Sequence, residues 1–153
     1  MITGMIGLLQ RVSEAEVAVH GVAVAAIGCG LLVLVGVEAG DSHTQADRLL
    51  ERLLGYRVFP DAAGRMNLSL RDTGGGLLLV PQFTLAADTR KGTRASFSSA
   101  ALPEVGRALF DYLATRAEAA HPHVACGSFG ADMKVTLTND GPVTFWLRVA
   151  PAG

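Results

Sequence analysis

The sequence predicts an α+β domain: a curved, barrel-like, mostly antiparallel sheet with two main covering helices. Three observations predict it. Strand patterns outnumber helical ones, the turn signals between neighbouring strands favour hairpins, and the order of elements is not the regular strand-helix alternation of a parallel sheet. With 153 residues, half of them apolar, the chain is read as one domain, 1–153, around one core.

Met5 to Val12 and Glu14 to Val19 read as two short strands joined by a polar turn. His20-Gly21 offers a hairpin turn into a strand from Val22 to Ile27. Gly28-Cys29-Gly30 breaks that strand before an apolar run from Leu31 to Val37, so the first quarter is expected to be a β-meander. A helix follows, capped by Asp41 or Ser42, with Ala46, Leu49, Leu50, Leu53 and Leu54 at helical spacing and Asp47, Arg48, Glu51 and Arg52 on its polar face. Val58-Phe59-Pro60, a turn over Asp61 to Gly64 and alternation from Met66 to Leu70 suggest a second β unit; Gly74-Gly75-Gly76 turns the chain into a strand from Leu77 to Val80.

Pro103 marks the first turn of a second helix. Val105, Ala108, Leu109, Tyr112 and Leu113 are its expected buried face, Thr115, Arg116 and Glu118 its last polar turn, and His121-Pro122 its end. Met133 to Thr138 and Val143 to Val149 are two further strands separated by Asn139-Asp140-Gly141-Pro142.

Thirteen basic and fourteen acidic side chains leave a net charge of −1, which excludes the general basic field of a protein that tracks a phosphate backbone. Any nucleic-acid contact is local, and Arg90, Lys91 and Arg94 are the one close basic cluster, read equally as a grip on an acceptor end or as a solvated loop. Few charges, 18%, with a mean hydropathy of +0.35, point to a subunit interface. Cys29 and Cys126, far apart and without a CxxC spacing, read as two buried reduced thiols, a cytosolic pattern. No signal-peptide pattern opens the chain and no apolar run has membrane length, so a soluble cytoplasmic protein is expected. His121, His123 and Cys126 fail as a metal set, because in an extended segment the histidines share one face and the cysteine takes the other. The glycine clusters lack the lysine and helix start of a phosphate loop.

Two segments differ from the packing around them: Pro81-Gln82-Phe83-Thr84-Leu85 after a buried strand, and Asn139 to Thr144 between two others. They are ordinary turns or ligand-facing strand ends, and Gly141-Pro142 is a place for a cis bond or a sharp turn. Thr84 has no histidine near it in sequence to act as base, so a packing or hydrogen-bonding role is the better reading.

Gln10-Arg11-Val12, Gly55-Tyr56-Arg57-Val58-Phe59, Met66-Asn67-Leu68, Gln82-Phe83-Thr84-Leu85-Ala86-Ala87-Asp88 and Asn139-Asp140-Gly141-Pro142-Val143-Thr144 resemble, in order and spacing, the D-aminoacyl-tRNA deacylase family. The resemblance covers nearly the whole chain. It implies the fold of that family and a cytosolic homodimer without a required cofactor. It also implies hydrolysis of D-aminoacyl-tRNA, and of glycine mischarged on alanine tRNA. Gly141-Pro142 is then cis and reaches into the other subunit's site, where its carbonyls exclude an L side chain. Gln82, Phe83 and Thr84 supply the catalytic wall, with backbone amides facing the developing oxyanion. Pro81, Arg11, Phe97 and Met133 join Gly141 and Pro142 on the substrate side, Arg11 as the brace of the Gly-Pro loop; taken alone, Arg11 reads as a surface or interface ion pair.

Two departures stand out. Pro81 occupies a position where most members carry serine, a feature shared with an animal relative that removes L-alanine from threonine tRNA, and Ala95 stands where proline is common. Phe83 and the Gly-Pro-Val-Thr run side with the D-specific type. A deacylase of relaxed specificity acting on L-Ala-tRNA is the alternative within the enzyme class; a non-catalytic nucleic-acid-binding dimer and a generic small-ester hydrolase lie outside it. Met5 aligns with the usual family start, which makes residues 1–4 an extension.

Overall fold

The computed structural model describes residues 4–150. In chain order its elements are β1 (Met5–Val19), β2 (Val22–Ile27), β3 (Gly30–Gly36), α1 (His43–Gly55), β4 (Phe59–Pro60), β5 (Met66–Leu68), α2 (Leu70–Thr73), β6 (Gly76–Pro81), a 3₁₀ turn (Phe83–Ala86), α3 (Pro103–Ala120), β7 (Val124–Cys126) and β8 (Met133–Val149). The main sheet runs β2-β1-β3-β6-β7 with β8 also on β1, and β4 and β5 form a separate ribbon. The three pairings of β1 are antiparallel, whereas β3-β6 and β6-β7 are parallel. The expected class, an α+β domain with a curved, barrel-like sheet and two main covering helices, holds.

Alternation along the central strands shows why the sheet is apolar on both faces. Leu31, Val33 and Val35 of β3 and Leu77 and Leu79 of β6 join Met5 and Leu9 under the helices, against Leu49, Leu50 and Leu53 of α1 and Leu109, Phe110 and Leu113 of α3. The intervening Leu32, Leu78 and Val80 point the other way and meet Val12, Ala15 and Val17, with Ile27 of β2 and Val135 and Leu137 of β8 packed around them. That second cluster gathers residues from the far halves of β1 and β8, so the sheet must curl around it. Burying each such leucine contributes about 1.5–3 kcal/mol.

Ser42 is the N-cap of α1, and its backbone N–H donates to Gln45 Oε1 at 2.7 Å. All five apolar residues expected on the inner face of α1 are buried. Tyr112 of α3 donates to Asp47 of α1 at 2.8 Å, and Arg116 lies 3.3 Å from the same carboxylate, tying the helices together. The hydrogen bond to Asp47 raises the Tyr112 hydroxyl above its ordinary pKa. His20 and Gly21 take φ values of 51° and 77°, the two left-handed positions of a tight hairpin turn.

Five expectations need correction. β1 is one strand of fifteen residues. Its polar middle marks a bend, with register shifts against β8 between Gln10 and Val12 and between Val12 and Glu14. The first quarter is not a meander, because β3 pairs with the first half of β1 (Ile6 with Gly36) and not with β2. β8 is likewise continuous across residues 139–142. Val105 is exposed, as is Ala108; the inner stripe of α3 is Gly106, Leu109, Phe110, Leu113 and Ala117, one position further along and anchored by Phe110. Cys29 is exposed at the turn before β3, and Cys126 is half-buried, its thiol pushed up to about 11 by burial.

Short α2 and β7 lay outside the sequence reading, as did a buried polar knot. In the knot Glu38 Oε1 accepts from Gly4 N–H at 3.0 Å and from Arg148 Nη2 at 3.1 Å, while Asp41 Oδ2 accepts from Glu38 N–H at 2.7 Å. Burial, with Glu38 nearby, pushes Asp41 up to about 6. Gly4, expected in an extension, is buried here; residues 1–3 of that segment lie outside the described residues.

Candidate active site

β6 ends at Pro81, and the chain breaks from the sheet into the 3₁₀ turn because proline brings no ladder donor. Gln82 N–H still donates to Val35 O at 2.8 Å, holding the turn against β3. The first acceptor used within the turn is Gln82 O, from Leu85 N–H at 3.2 Å. The amides of Phe83 and Thr84 fall ahead of it, where a helical turn has no internal partner to offer. The Gln82 side-chain amide donates to Thr84 Oγ1. Thr84 is exposed, and its hydroxyl is engaged by an amide, not by a base.

This segment separates two hollows. The larger, about 510 Å³, is lined by Val35, Val37, Pro81, Gln82 and Phe83, by Phe97 and Leu102 from the following loop, and by Phe110 and Phe129. Phe83 and Phe97 meet at a tilt of 47°, with centroids 5.3 Å apart, and Phe83 is 62% exposed, which leaves its ring open to a planar guest. The smaller hollow, about 250 Å³, lies behind Pro81-Gln82-Phe83 and is lined by Met133, Val135 and Gly130. Met133 packs closely here: a Cβ added at Gly127 would come within 2.9 Å of its sulfur and 3.5 Å of Pro81 Cδ.

A second group of expected residues assembles elsewhere. Val12 pairs with Asn139 and Gln10 with Thr144, so residues 140–143 bulge from β8 opposite Arg11. Arg11 Nε donates to Asp140 O at 2.9 Å and Nη1 to Val58 O at 2.7 Å. Asn139 closes the neck of the bulge, accepting from Val143 N–H at 2.7 Å and donating to Thr144 Oγ1 at 2.8 Å. The Gly141-Pro142 bond is cis, and Gly141 has φ +142°.

The structure therefore brings Pro81, Gln82, Phe83, Phe97 and Met133 together, with Thr84 beside them, and Arg11, Gly141 and Pro142 together, as two groups; residues 139–142 line neither hollow. Phe129, Phe110 and Leu102 were not singled out in the sequence. The one signal for Phe129 was an isolated aromatic between Gly127 and Gly130. In the basic cluster, Arg90 donates to Asp88 at 2.7 and 2.9 Å and holds its carboxyl down at about 2, which leaves Lys91 and Arg94 to supply the net charge. His121, the first of the three residues weighed as metal ligands, lies with Nε2 2.6 Å from Gly75 O.

The fold, a curved α+β sheet under two main helices, is that of a solved structure described as a probable eukaryotic D-amino acid tRNA deacylase, which superposes with a TM-score of 0.84 at 19% identity over 96% of this chain and 100% of that one. The family model described as D-Tyr-tRNA(Tyr) deacylase matches residues 8–148, and the chain belongs to that family. It is 69% identical over 147 residues to a D-aminoacyl-tRNA deacylase of Thioalkalivibrio sulfidiphilus, covering 96% of this chain and 99% of that one. It is 64% identical, with the same coverage, to a D-aminoacyl-tRNA deacylase of Janthinobacterium sp. (strain Marseille). A solved structure named c-Myc DNA Unwinding Element Binding Protein superposes with a TM-score of 0.91 at 33% identity, over 96% of this chain and 99% of that one.

Proposed function

We propose that the chain hydrolyses the ester of D-aminoacyl-tRNA, releasing the D-amino acid and the tRNA, in the cytoplasm where tRNA is charged. The observation that carries this reading is the large hollow. It has the volume of a small-molecule cleft, an aromatic and aliphatic lining suited to the terminal adenine, and on one side the backbone of Gln82-Phe83-Thr84. With the base seated there, the amides of Phe83 and Thr84 face the ester carbonyl. Water adds to the carbonyl carbon, the negative charge gathers on its oxygen near those donors, the bond to the 3′ oxygen breaks and the proton passes to that oxygen. An aminoacyl ester is already activated, so positioning with help from the neighbouring 2′-hydroxyl suffices without a protein nucleophile. Thr84, held by Gln82, orients the turn and does not attack.

The working unit is a homodimer. Trp146, Leu8, Leu34 and Val80 form one row across β8, β1, β3 and β6 on the face away from the helices. Trp146 is 52% exposed, and the row leads to exposed Phe83. Two copies packed on this face carry the Gly141-Pro142 bulge of one towards the Pro81 to Thr84 wall of the other. The carbonyls of the bulge, held by Arg11, then occupy the space of an L side chain and accept from the substrate amine. Selection by exclusion admits glycine, so glycyl-tRNA is a second substrate.

The test is release of amino acid from D-Tyr-tRNA, L-Tyr-tRNA, Gly-tRNA and L-Ala-tRNA. Cleavage of the D and glycyl esters alone is expected. L-Ala release would place Pro81 in a relaxed-specificity wall. Binding of tRNA without cleavage would favour the second reading, a nucleic-acid-binding dimer, which the name of the 33% identical solved structure and the Lys91-Arg94 loop recommend.

A further inference from the structure

Phe129, one wall of the large hollow, is held from two sides by consecutive residues of α3. Arg107 places its guanidinium 5.1 Å from the ring centroid and donates from Nη2 to Phe129 O at 3.2 Å. Gly106 lies against the ring edge, where a Cβ would come 3.3 Å from Phe129 Cζ, tight enough to push it. Gly130, with φ +79°, turns the chain immediately afterwards, and a Cβ there would lie 3.6 Å from Arg107 Nη2. Gly106 and Phe129 line the hollow, whereas Arg107 lines the groove outside it with Glu104, Ala108 and Asp111. A cation seated over an aromatic ring is held there by the ring quadrupole, so the pair restrains the ring that borders the cleft.

We propose that Gly106 and Arg107 form a clamp that fixes the Phe129 ring and so sets the width of the hollow, making Arg107 a positioning residue for the terminal base of the substrate. The inference rests on the assignment of that hollow to the nucleoside. The carbonyl bond fixes the backbone of the 128–130 turn and the cation holds the plane of the ring. Without them the ring can swing, and the bound base loses a flat partner. Because the clamp acts on binding and not on the ester, its loss raises KM and leaves kcat alone.

The experiment measures adenosine binding by calorimetry and D-Tyr-tRNA deacylation for the wild type, Arg107→Ala, Arg107→Lys, Phe129→Leu and the double variant Arg107→Ala/Phe129→Leu. Arg107→Ala is expected to weaken adenosine roughly five-fold, the scale of an exposed cation-π contact, and to raise KM by a similar factor at unchanged kcat, with partial rescue by Arg107→Lys. In the Phe129→Leu background the same change adds nothing, since the clamp has lost its ring. Gly106→Ala, whose Cβ would press on the ring edge, weakens adenosine. Unchanged adenosine affinity in Arg107→Ala, or an effect fully additive with Phe129→Leu, overturns the clamp. So does a weakened tRNA interaction with a shallower salt dependence but intact adenosine binding, which would make Arg107 a phosphate contact. A wild type that cleaves D-Tyr-tRNA but does not bind adenosine refutes the nucleoside assignment instead.

Discussion

The two irregular segments of this molecule are built alike and placed differently. Each carries a proline in a strand, Pro81 at the end of β6 and Pro142 inside the continuous β8, and each is pinned by hydrogen bonds to a neighbouring element. The Pro81 to Thr84 segment opens onto hollows of its own chain. The 140–143 bulge is held by Arg11 and Asn139, yet it lines neither hollow. In the proposed dimer, one segment receives and the other is presented.

The most severe way to break that comparison is Gly141→Ala. The new Cβ would lie 2.6 Å from Val143 Cγ2 and 3.1 Å from Arg11 Nη2, on a backbone with φ +142° that side chains rarely adopt. D-Tyr-tRNA cleavage should fall at least about 100-fold with the circular dichroism spectrum intact, the scale of loss when a positioning group moves by an ångström. Mixing that variant with Phe83→Ala sharpens the comparison: hybrid dimers contain one intact wall facing one intact bulge, so about a quarter of wild-type activity returns on subunit exchange. No recovery would place wall and bulge in the same subunit's function. Arg11→Ala comes next, because it strips the bonds to Asp140 O and Val58 O. A loss of roughly ten- to a hundred-fold in kcat is expected, from a bulge that stays folded but is no longer aimed.

Thr84→Ala removes a hydroxyl already occupied by Gln82, and a loss under about five-fold would separate it from a nucleophile, whose removal costs orders of magnitude more. The smallest effect tests a polar site outside both segments. Asp41 titrates at about 6 in the folded chain against an ordinary 3.8, so the folded state holds a proton that the unfolded state has lost between those values. Stability therefore falls as pH rises through that window. Asp41→Asn should flatten the slope in a thermal-denaturation series and add about 1 kcal/mol at pH 7.5, without changing deacylation.

What was legible in the sequence follows from how locally each feature is specified. Ser42, Pro103 and the leucine spacing of α1 carry their helices in a few consecutive residues, and they stand where expected. The continuity of β1 and β8 was hidden because each contains a polar or proline-bearing stretch that resembles a strand end. Only pairing with each other, through the shared bend at Arg11, keeps both ladders running. The edge that β3 takes is a long-range choice, set by which apolar face must be covered, and no residue of β3 encodes it alone. The same holds in the site. Pro81 to Thr84 and Gly141-Pro142 were visible as motifs, whereas Phe129 and Arg107 matter only because α3 and the 128–130 turn meet in space. β7 is three residues long and falls below the length at which alternation can be seen.

The lining of the large hollow is made of valine, proline, glutamine, phenylalanine, alanine, leucine and glycine, and no side chain in it gains or loses a proton near neutrality. A wall of this kind has no histidine to protonate and no thiolate to oxidise. Turnover on such a wall should follow the chemistry of the ester and of water across pH 6 to 8.5, with no bell-shaped profile. A quality-control step built this way takes its pH dependence from the substrate's own ester and α-amino group, and its wall offers no thiol to oxidise.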